Sequence, residues 1–228
     1  MNYDEDAPFE VTRYREMQKA LPGYDALYRL TRARLETALM PRSHVLVVGA
    51  GGGREVEALS QSDHQFQITG VDPSQDMLSI AEWYASRAKM GSQVKLVQGT
   101  AEDTVAPKDG FAAATSLLVM HFLPDEENEN GKAAYLQSIR SRLRSGATLV
   151  HADVSYTDEF AMFAPVFSQH AELAGLDPDA ARVGPQTIQT MPIISPERTK
   201  VLLKATGFAS IRPFFQTLWY RGWFATAA

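Results

Sequence analysis

Cysteine is absent from this chain of 228 residues, and its absence excludes disulfide bonds and thiolate metal sites. Basic residues are outnumbered, because 22 Lys and Arg stand against 27 Asp and Glu, for a formal net charge of −5. Nucleic-acid-binding proteins usually carry a basic patch or stripe, so this composition gives no support to broad nucleic-acid binding. A chain without cysteine suits a reducing compartment, and we expect a cytoplasmic protein.

Long apolar runs are also lacking. The longest, Phe111 to Leu123, falls short of the roughly 20 residues that a membrane-spanning helix needs. The first ten residues, MNYDEDAPFE, are acidic and have neither the basic start nor the apolar run of a secretory signal. Only five histidines are present, and no two of them have the i, i+4 spacing of a zinc-binding helix. We therefore expect no membrane segment and no metal.

A regular alternation of strand-like and helix-like segments runs along most of the chain. The strand-like runs are HVLVVG, FQITGVD, QVKLVQG, FAAATSLLV and ATLVHADV, and amphipathic segments separate them. Parallel strands need helical crossovers, so the pattern predicts an α/β fold with a doubly wound, mostly parallel sheet. Two final runs, SIRPFFQTL and YRGWFATA, predict a closing antiparallel hairpin and a total of seven strands.

Three segments are expected to differ in role. Residues 1–40 are predicted to form an N-terminal helical cap, hinged at LPGY (residues 21–24), and residues 41–228 the main domain. The alternation breaks in residues 156–194, which we interpret as an inserted helical lid. Its glycines and prolines are expected to interrupt regular structure; they are Gly175, Pro178, Gly184, Pro185 and Pro192. A dimer interface built from the same aromatic side chains is the alternative, so a homodimer stays open.

The stretch VLVVGAGGGREVEAL places four glycines in five positions directly after the first strand. Dinucleotides and S-adenosylmethionine are both bound at such turns, but the dinucleotide fingerprint needs a glycine or alanine where this chain has Arg54. Asp72 ends the second strand, where a carboxylate can accept hydrogen bonds from both ribose hydroxyls of an adenosine. Tight packing of the glycines and a helix-capping role for Asp72 are the alternatives.

Over almost its whole length the chain resembles the class I S-adenosylmethionine-dependent methyltransferases. The matching segments occur in the family's order: VLVVGAGGG, VDPS, VQGTAED, TSLLVMHFLP and LRSGATLVHAD. The final antiparallel hairpin also fits this family. The resemblance implies a Rossmann-like methyltransferase fold for residues 41–228, S-adenosyl-L-methionine as cofactor, and methyl transfer as activity.

The segments MQKALPGYDAL and SPERTKVLLKATGF resemble a narrower group, the bacterial tRNA wobble-uridine carboxymethyltransferases, which use a carboxylated donor. Carried over position by position, the donor contacts of that group fall on Tyr24, Gly49, Ala50, Gly51, Asp72, Pro73, Thr100, Ala101 and Ser116. Many members have an acidic residue where this chain has Thr100, and Glu102 or Asp103 is expected to take over that contact.

A second departure concerns the donor's extra carboxylate. The arginine that reads this carboxylate in the narrower group aligns with Leu202, which cannot pair with it, although Arg198 lies one helical turn away. The resemblance therefore implies ordinary S-adenosylmethionine as the donor.

His121 and Asp153 are the candidate catalytic residues. Each follows or ends a strand at the carboxyl edge of the predicted sheet, where such folds bind ligands. The ordinary pKa of histidine, near ~6.5, suits proton transfer at neutral pH. A structural role remains open for His121 and a helix-capping role for Asp153, while His151 is predicted to be structural.

The methyl acceptor is the least constrained part of the prediction. Seven side chains either line an acceptor cavity or belong to the core: Phe160, Met162, Phe163, Phe167, Trp219, Tyr220 and Trp223. Because the chain is acidic, we favour a small-molecule acceptor over tRNA. A non-catalytic protein that binds an adenosyl ligand is the third alternative.

Overall fold

The structure is a computed structural model that describes Gln18 and residues 20–228, so most of the predicted N-terminal cap lies outside the described residues. Seven strands form one sheet: β1 (His44–Val48), β2 (Gln67–Asp72), β3 (Val94–Gln98), β4 (Phe111–Leu117), β5 (Leu143–Val154), β6 (Phe208–Thr217) and β7 (Tyr220–Ala227). Their order is β3-β2-β1-β4-β5-β7-β6. The pairs among β1 to β5 are parallel, while β7 is antiparallel to both β5 and β6. The predicted doubly wound sheet with a C-terminal hairpin is confirmed.

Seven α-helices are described: α1 (Tyr24–Ala38), α2 (Arg54–Ser60), α3 (Gln75–Arg87), α4 (Lys132–Arg142), α5 (Phe160–Leu173), α6 (Pro178–Thr190) and α7 (Pro196–Ala205). Three short 3₁₀ turns follow strand ends, at Ala50–Gly52, Ala101–Asp103 and Met120–Phe122. Each turn stands where the chain leaves β1, β3 or β4 at the carboxyl edge of the sheet. This edge therefore carries most of the irregular backbone of the parallel half.

The core has two layers, one on each face of the sheet. Leu27 and Leu35 of α1, together with Leu59 of α2, pack on one face. Leu136 of α4 and Leu203 of α7 pack on the other. The strands between them are apolar on both sides, as expected for a parallel sheet that is covered on both faces.

Within the predicted lid, residues 156–194, two helices pack against each other and against the start of β7. The expectation that every glycine and proline there interrupts regular structure was wrong at three positions. Pro165 lies inside α5, and Gly184 and Pro185 lie inside α6. A Cβ atom on Gly184 would come within 2.8 Å of the Phe167 ring, so close packing of the two helices explains a glycine inside α6. Tertiary packing has outweighed local helix propensity here.

Among the described residues, no helix is both long enough and apolar enough to cross a bilayer.

Candidate active site

The glycine turn joins β1 to α2 at the point where the sheet order reverses between β1 and β4, which is where open α/β sheets bind ligands. Gly49 and Gly53 adopt left-handed backbone, with φ of +79° and +68°. A Cβ atom on Gly49 would lie 2.2 Å from Cγ2 of Val119, and one on Gly53 would lie 2.6 Å from the ring of Tyr84. Tight packing therefore accounts for these two glycines, and any contact between them and a ligand is made by backbone atoms.

Asp72 is held in place at the carboxyl end of β2. The backbone N–H of Gly51 donates to its Oδ2 at 3.0 Å, and that of Ser74 donates to its Oδ1 at 2.9 Å. The helix-capping interpretation of Asp72 was wrong, because Ser74 is the N-cap of α3 and accepts from the N–H of Met77. An ionised carboxylate offers about four acceptor positions, so one braced in this way can accept further hydrogen bonds.

The turn after β3 contains four of the predicted donor-binding positions or their substitutes. Thr100 donates its hydroxyl to Oδ2 of Asp103, which also accepts from the N–H of Thr100. These hydrogen bonds hold the pKa of the Asp103 carboxyl below its usual value. Ala101 is buried, whereas the side chain of Glu102 is exposed beside it. Of the two acids expected to replace the missing contact, Asp103 is thus engaged within the turn and Glu102 faces solvent.

Tyr24 begins α1 and packs against the helix that follows the glycine turn. Its ring meets that of Tyr28 edge-on, with centroids 4.7 Å apart, and the Arg54 guanidinium lies 5.4 Å from its centroid. Arg54 also pairs with Glu57 and Asp25. Tyr24 is therefore fixed beside α2, although most of the predicted cap lies outside the described residues.

Ser116 is fully buried, so its hydroxyl is not exposed at the sheet edge. Its Oγ lies 2.8 Å from the hydroxyl of Tyr135 and 3.2 Å from Nδ1 of His151. His151 is also fully buried and stacks on Trp223, which agrees with its predicted structural role. Burial lowers the pKa of His151 and favours the neutral ring.

His121 and Asp153, which the sequence placed separately at the same edge, form a hydrogen-bonded pair. Nδ1 of His121 lies 2.5 Å from Oδ1 of Asp153, which also accepts from the N–H of Val154 at 2.7 Å. The other oxygen, Oδ2, is buried without a partner among the described residues. Burial alone would raise the pKa of Asp153, but the charge and hydrogen bond of His121 outweigh it, so the pKa lies below its usual value. No helix begins at Asp153, so its predicted capping role was wrong.

Lys132 supports this pair and was missed in the sequence. It is 1% exposed, and its Nζ donates to the carbonyl oxygens of Met120 and Leu123, which flank His121. A lysine at the start of a helix ordinarily faces solvent, so the sequence held no signal for its burial.

Glu55 was also missed. It lies in the first turn of α2, is 4% exposed, and its Oε1 has no hydrogen-bond partner among the described residues. Burial raises the pKa of its carboxyl to about 8. A sequence signal existed in this case, because Glu55 and the buried Leu59 are four residues apart on one helix face.

Arg198, the alternative reader of an extra donor carboxylate, is engaged elsewhere. Its Nε and Nη2 donate to the two carboxylate oxygens of Asp125 at 2.9 and 3.0 Å. Leu202 is buried in the core. Within the described residues, neither position offers a free cation to the site.

The aromatic side chains from the lid and hairpin mostly belong to the core. Phe160 stacks on Trp219 with centroids 4.9 Å apart, and Phe167 and Tyr220 pack in the same cluster. Met162, by contrast, is 56% exposed. Core packing is therefore the role of most of this set.

Comparison with known proteins agrees with this geometry. A protein-family profile described as "Methyltransferase domain" matches residues 45–146, from β1 to the start of β5. The chain contains a class I methyltransferase domain. An uncharacterised methyltransferase of Geobacillus sp. (strain WCH70) is 29% identical over 145 residues, which are 61% of this chain and 63% of that protein. The chain thus covers less than two thirds of that relative's length.

Solved structures share the fold of this methyltransferase domain at low identity. An S-adenosylmethionine-dependent methyltransferase from Aquifex aeolicus superposes with a TM-score of 0.63 at 14% identity, covering 96% of this chain and 100% of that one. The [4+2]-cyclase SpnF superposes with a TM-score of 0.56 at 21% identity, covering 82% and 59%. The fold therefore carries more than one chemistry, and the reaction has to be argued from the site.

The family implies S-adenosylmethionine as the cofactor, and the residues at the glycine turn fit it. Asp72 is a fixed acceptor for ribose hydroxyls, and Glu55 is a buried acid with an orphaned oxygen near a cationic ligand's expected place. Within residues 20–228, no cluster of His, Asp and Glu could hold a metal ion.

Proposed function

We propose that this protein transfers a methyl group from S-adenosylmethionine to a small-molecule acceptor. The observation that carries the proposal is the Asp72 carboxylate, fixed at the end of β2 by two backbone N–H groups beside the glycine turn. When bound, S-adenosylmethionine supplies a methyl group on a positively charged sulfur. The residues proposed to hold it are Tyr24, Gly49, Ala50, Gly51, Asp72, Pro73, Thr100, Ala101, Glu102 and Ser116.

The role proposed for His121 and Asp153 is to remove a proton from the acceptor. Because Asp153 is ionised and accepts at Nδ1, the neutral ring of His121 carries its proton there and leaves Nε2 as the basic nitrogen. The side chain of His121 is 8% exposed, so the ring reaches the surface of the core only at one side. An acceptor hydroxyl or carboxylic acid would pass its proton to Nε2 as the new bond to the methyl group forms.

Net charge and engaged side chains support a small molecule and the ordinary donor. The chain carries a charge of −5, which disfavours approach of a polyanionic tRNA. Arg198 is paired with Asp125 and Leu202 is buried, so neither position supplies a partner for an extra donor carboxylate.

Calorimetric titration with S-adenosylmethionine and S-adenosylhomocysteine tests the donor half of this proposal. We expect wild-type protein to bind both, and Asp72→Ala to abolish binding because the ribose hydroxyls lose their acceptor. Asp153→Asn is the matched variant, since it should bind the donor as wild type does. Tight binding of NAD by the wild-type protein with no binding of either adenosyl ligand would contradict the proposal.

Transfer of a labelled methyl group into fractionated cell extract tests the acceptor half. Label should enter the small-molecule fraction with wild-type protein and be strongly reduced with Asp153→Asn. Label that enters only the tRNA fraction would exclude a small-molecule acceptor, and donor binding without transfer into any fraction would favour a non-catalytic binding protein.

A further inference from the structure

Glu55 is a buried acid that the described protein leaves without a counter-charge. Its side chain is 4% exposed, and its Oε1 lacks a hydrogen-bond partner. An unpaired carboxylate in such a place is costly, because the low-dielectric interior replaces its hydration with nothing of equal strength. A carboxyl group kept there requires either its proton or a cation from outside the described protein.

The neighbouring cation does not fill this role. Arg54, next to Glu55 in the chain, donates one nitrogen to Glu57 and another to Asp25, 2.6 Å away. Its guanidinium also lies over the rings of Tyr24 and Tyr28, on the α1 side of the helix. The one positive charge close to Glu55 is therefore directed away from it.

The position of Glu55 places it beside the donor site. It follows the glycine turn by two residues, and the carboxylate of Asp72 and the hydroxyl of Tyr135 both lie within electrostatic range of it. The titratable and charged groups on the elements packed around it are Arg54 and Glu57 of α2, Tyr24 and Asp25 of α1, Asp72 of β2, Tyr84 of α3 and Tyr135 of α4. Apart from Arg54, every member of this set is an acid or a phenol.

Resting on the proposed function, we propose that Glu55 recognises the positive charge on the amino-acid half of the methyl donor. That half carries an α-ammonium group and, in S-adenosylmethionine, a sulfonium. Either cation would supply the partner that Oε1 lacks. The adenosine half is assigned to Asp72, so the two acids hold opposite ends of one ligand.

A proton balance follows from this assignment. The free protein holds Glu55 largely protonated at pH 7, since burial raises the pKa of the carboxyl to about 8. Pairing with a cation favours the carboxylate, so donor binding releases the carboxyl proton to solvent. Affinity for the donor should therefore rise as pH increases toward 8 and level off above it.

The test measures Kd for S-adenosylmethionine by calorimetry at pH 6.5 and pH 8.5, for wild type and Glu55→Gln. The donor's own ammonium also titrates, so the comparison between the two proteins isolates Glu55. We expect the ratio of Kd at pH 6.5 to Kd at pH 8.5 to be roughly tenfold larger for wild type. Glu82→Gln, which removes an exposed acid from α3, should behave as wild type.

The same titrations, run at pH 7 in two buffers of different ionisation enthalpy, count released protons directly. Wild type should release more protons than Glu55→Gln, and this count decides the matter if Glu55→Gln does not fold. S-adenosylhomocysteine, which lacks the sulfonium, identifies the cation. Proton release with both ligands points to the ammonium, and release with S-adenosylmethionine alone points to the sulfonium.

Two failures are distinguishable. Wild-type protein that binds the donor with the same pH dependence and proton count as Glu55→Gln overturns the role of Glu55 and leaves the proposed function standing. Wild-type protein that binds neither adenosyl ligand at any pH overturns the proposed function itself.

Discussion

Gly49 combines two constraints that no other residue type meets. Its backbone is left-handed, and a Cβ atom would collide with Val119. Alanine at this position has to pay a left-handed backbone cost of about 1–2 kcal/mol and also displace a β-branched side chain.

We expect Gly49→Ala to lower the free energy of unfolding by at least about 2 kcal/mol, measured by urea titration. Gly91→Ala is the matched control, because Gly91 has ordinary φ and no atoms near the position of a Cβ. That variant should stay within about 0.5 kcal/mol of wild type. Equal effects of the two substitutions would show that the close approach of Val119 does not constrain the turn.

Single residues were predictable where one local pattern was enough. The glycines and Asp72 were found from their position after strands, and His121 and Asp153 from their position at one sheet edge. The hydrogen bond between His121 and Asp153 could not be predicted, because 32 residues separate them and only the β4–β5 register brings them together. Lys132 and Glu55 are buried charged residues, which sequence reasoning places on the surface by default.

Helix α4 and the turn Met120–Phe122 are joined through one side chain. Lys132, the first residue of α4, donates to two carbonyl oxygens around this turn. Burial lowers the pKa of its ammonium, which shows that the charge is held at some cost. The hydrogen bonds to the carbonyls outweigh that cost, since an orphaned buried acceptor costs roughly 1–3 kcal/mol.

We expect Lys132→Met to destabilise the protein by roughly 2 kcal/mol in urea titration, because two buried carbonyl oxygens lose their donor. Lys204→Met, at an exposed position on α7, should change stability by less than about 0.5 kcal/mol. Increased stability of Lys132→Met would mean that the buried charge costs more than its hydrogen bonds return.

Elements were predicted better than the faces they bury. The strand-like runs all became strands, because continuous apolar segments between helices have few alternatives. The buried face of α3 was less accurate: Ile80 and Ala81 are buried as expected, but Leu78 and Ala85 are buried in place of Met77 and Ala88. The hydrophobic period sets a helix face only to within a residue, and packing on the sheet decides the rest.

At the scale of the whole molecule, the lid helices and the N-terminal segment are the parts whose role is still a proposal. The lid packs its aromatic residues on Trp219 and Tyr220 at the start of β7. An apolar stripe of Met162, Val166 and Leu173 remains exposed on α5. The first observation supports a cover over the acceptor side, and the second supports a dimer interface.

Hydrogen exchange with and without S-adenosylhomocysteine separates these roles. A cover should gain protection in residues 156–194 and in the N-terminal segment when the ligand binds, at any protein concentration, because closure excludes water from the site. Protection that follows protein concentration and ignores the ligand would support the dimer and exclude the cover.

The place of β7 in the sheet has a consequence for synthesis on the ribosome. β7 comes after β5 and β6 in the chain but lies between them in the sheet. As the chain emerges, β1 to β5 can pair in parallel while the outer edge of β5 stays open, because its partner has not yet been made. Exposed edges invite pairing with other chains, so the nascent protein is most prone to aggregate during the interval between the emergence of Val154 and that of Ala227.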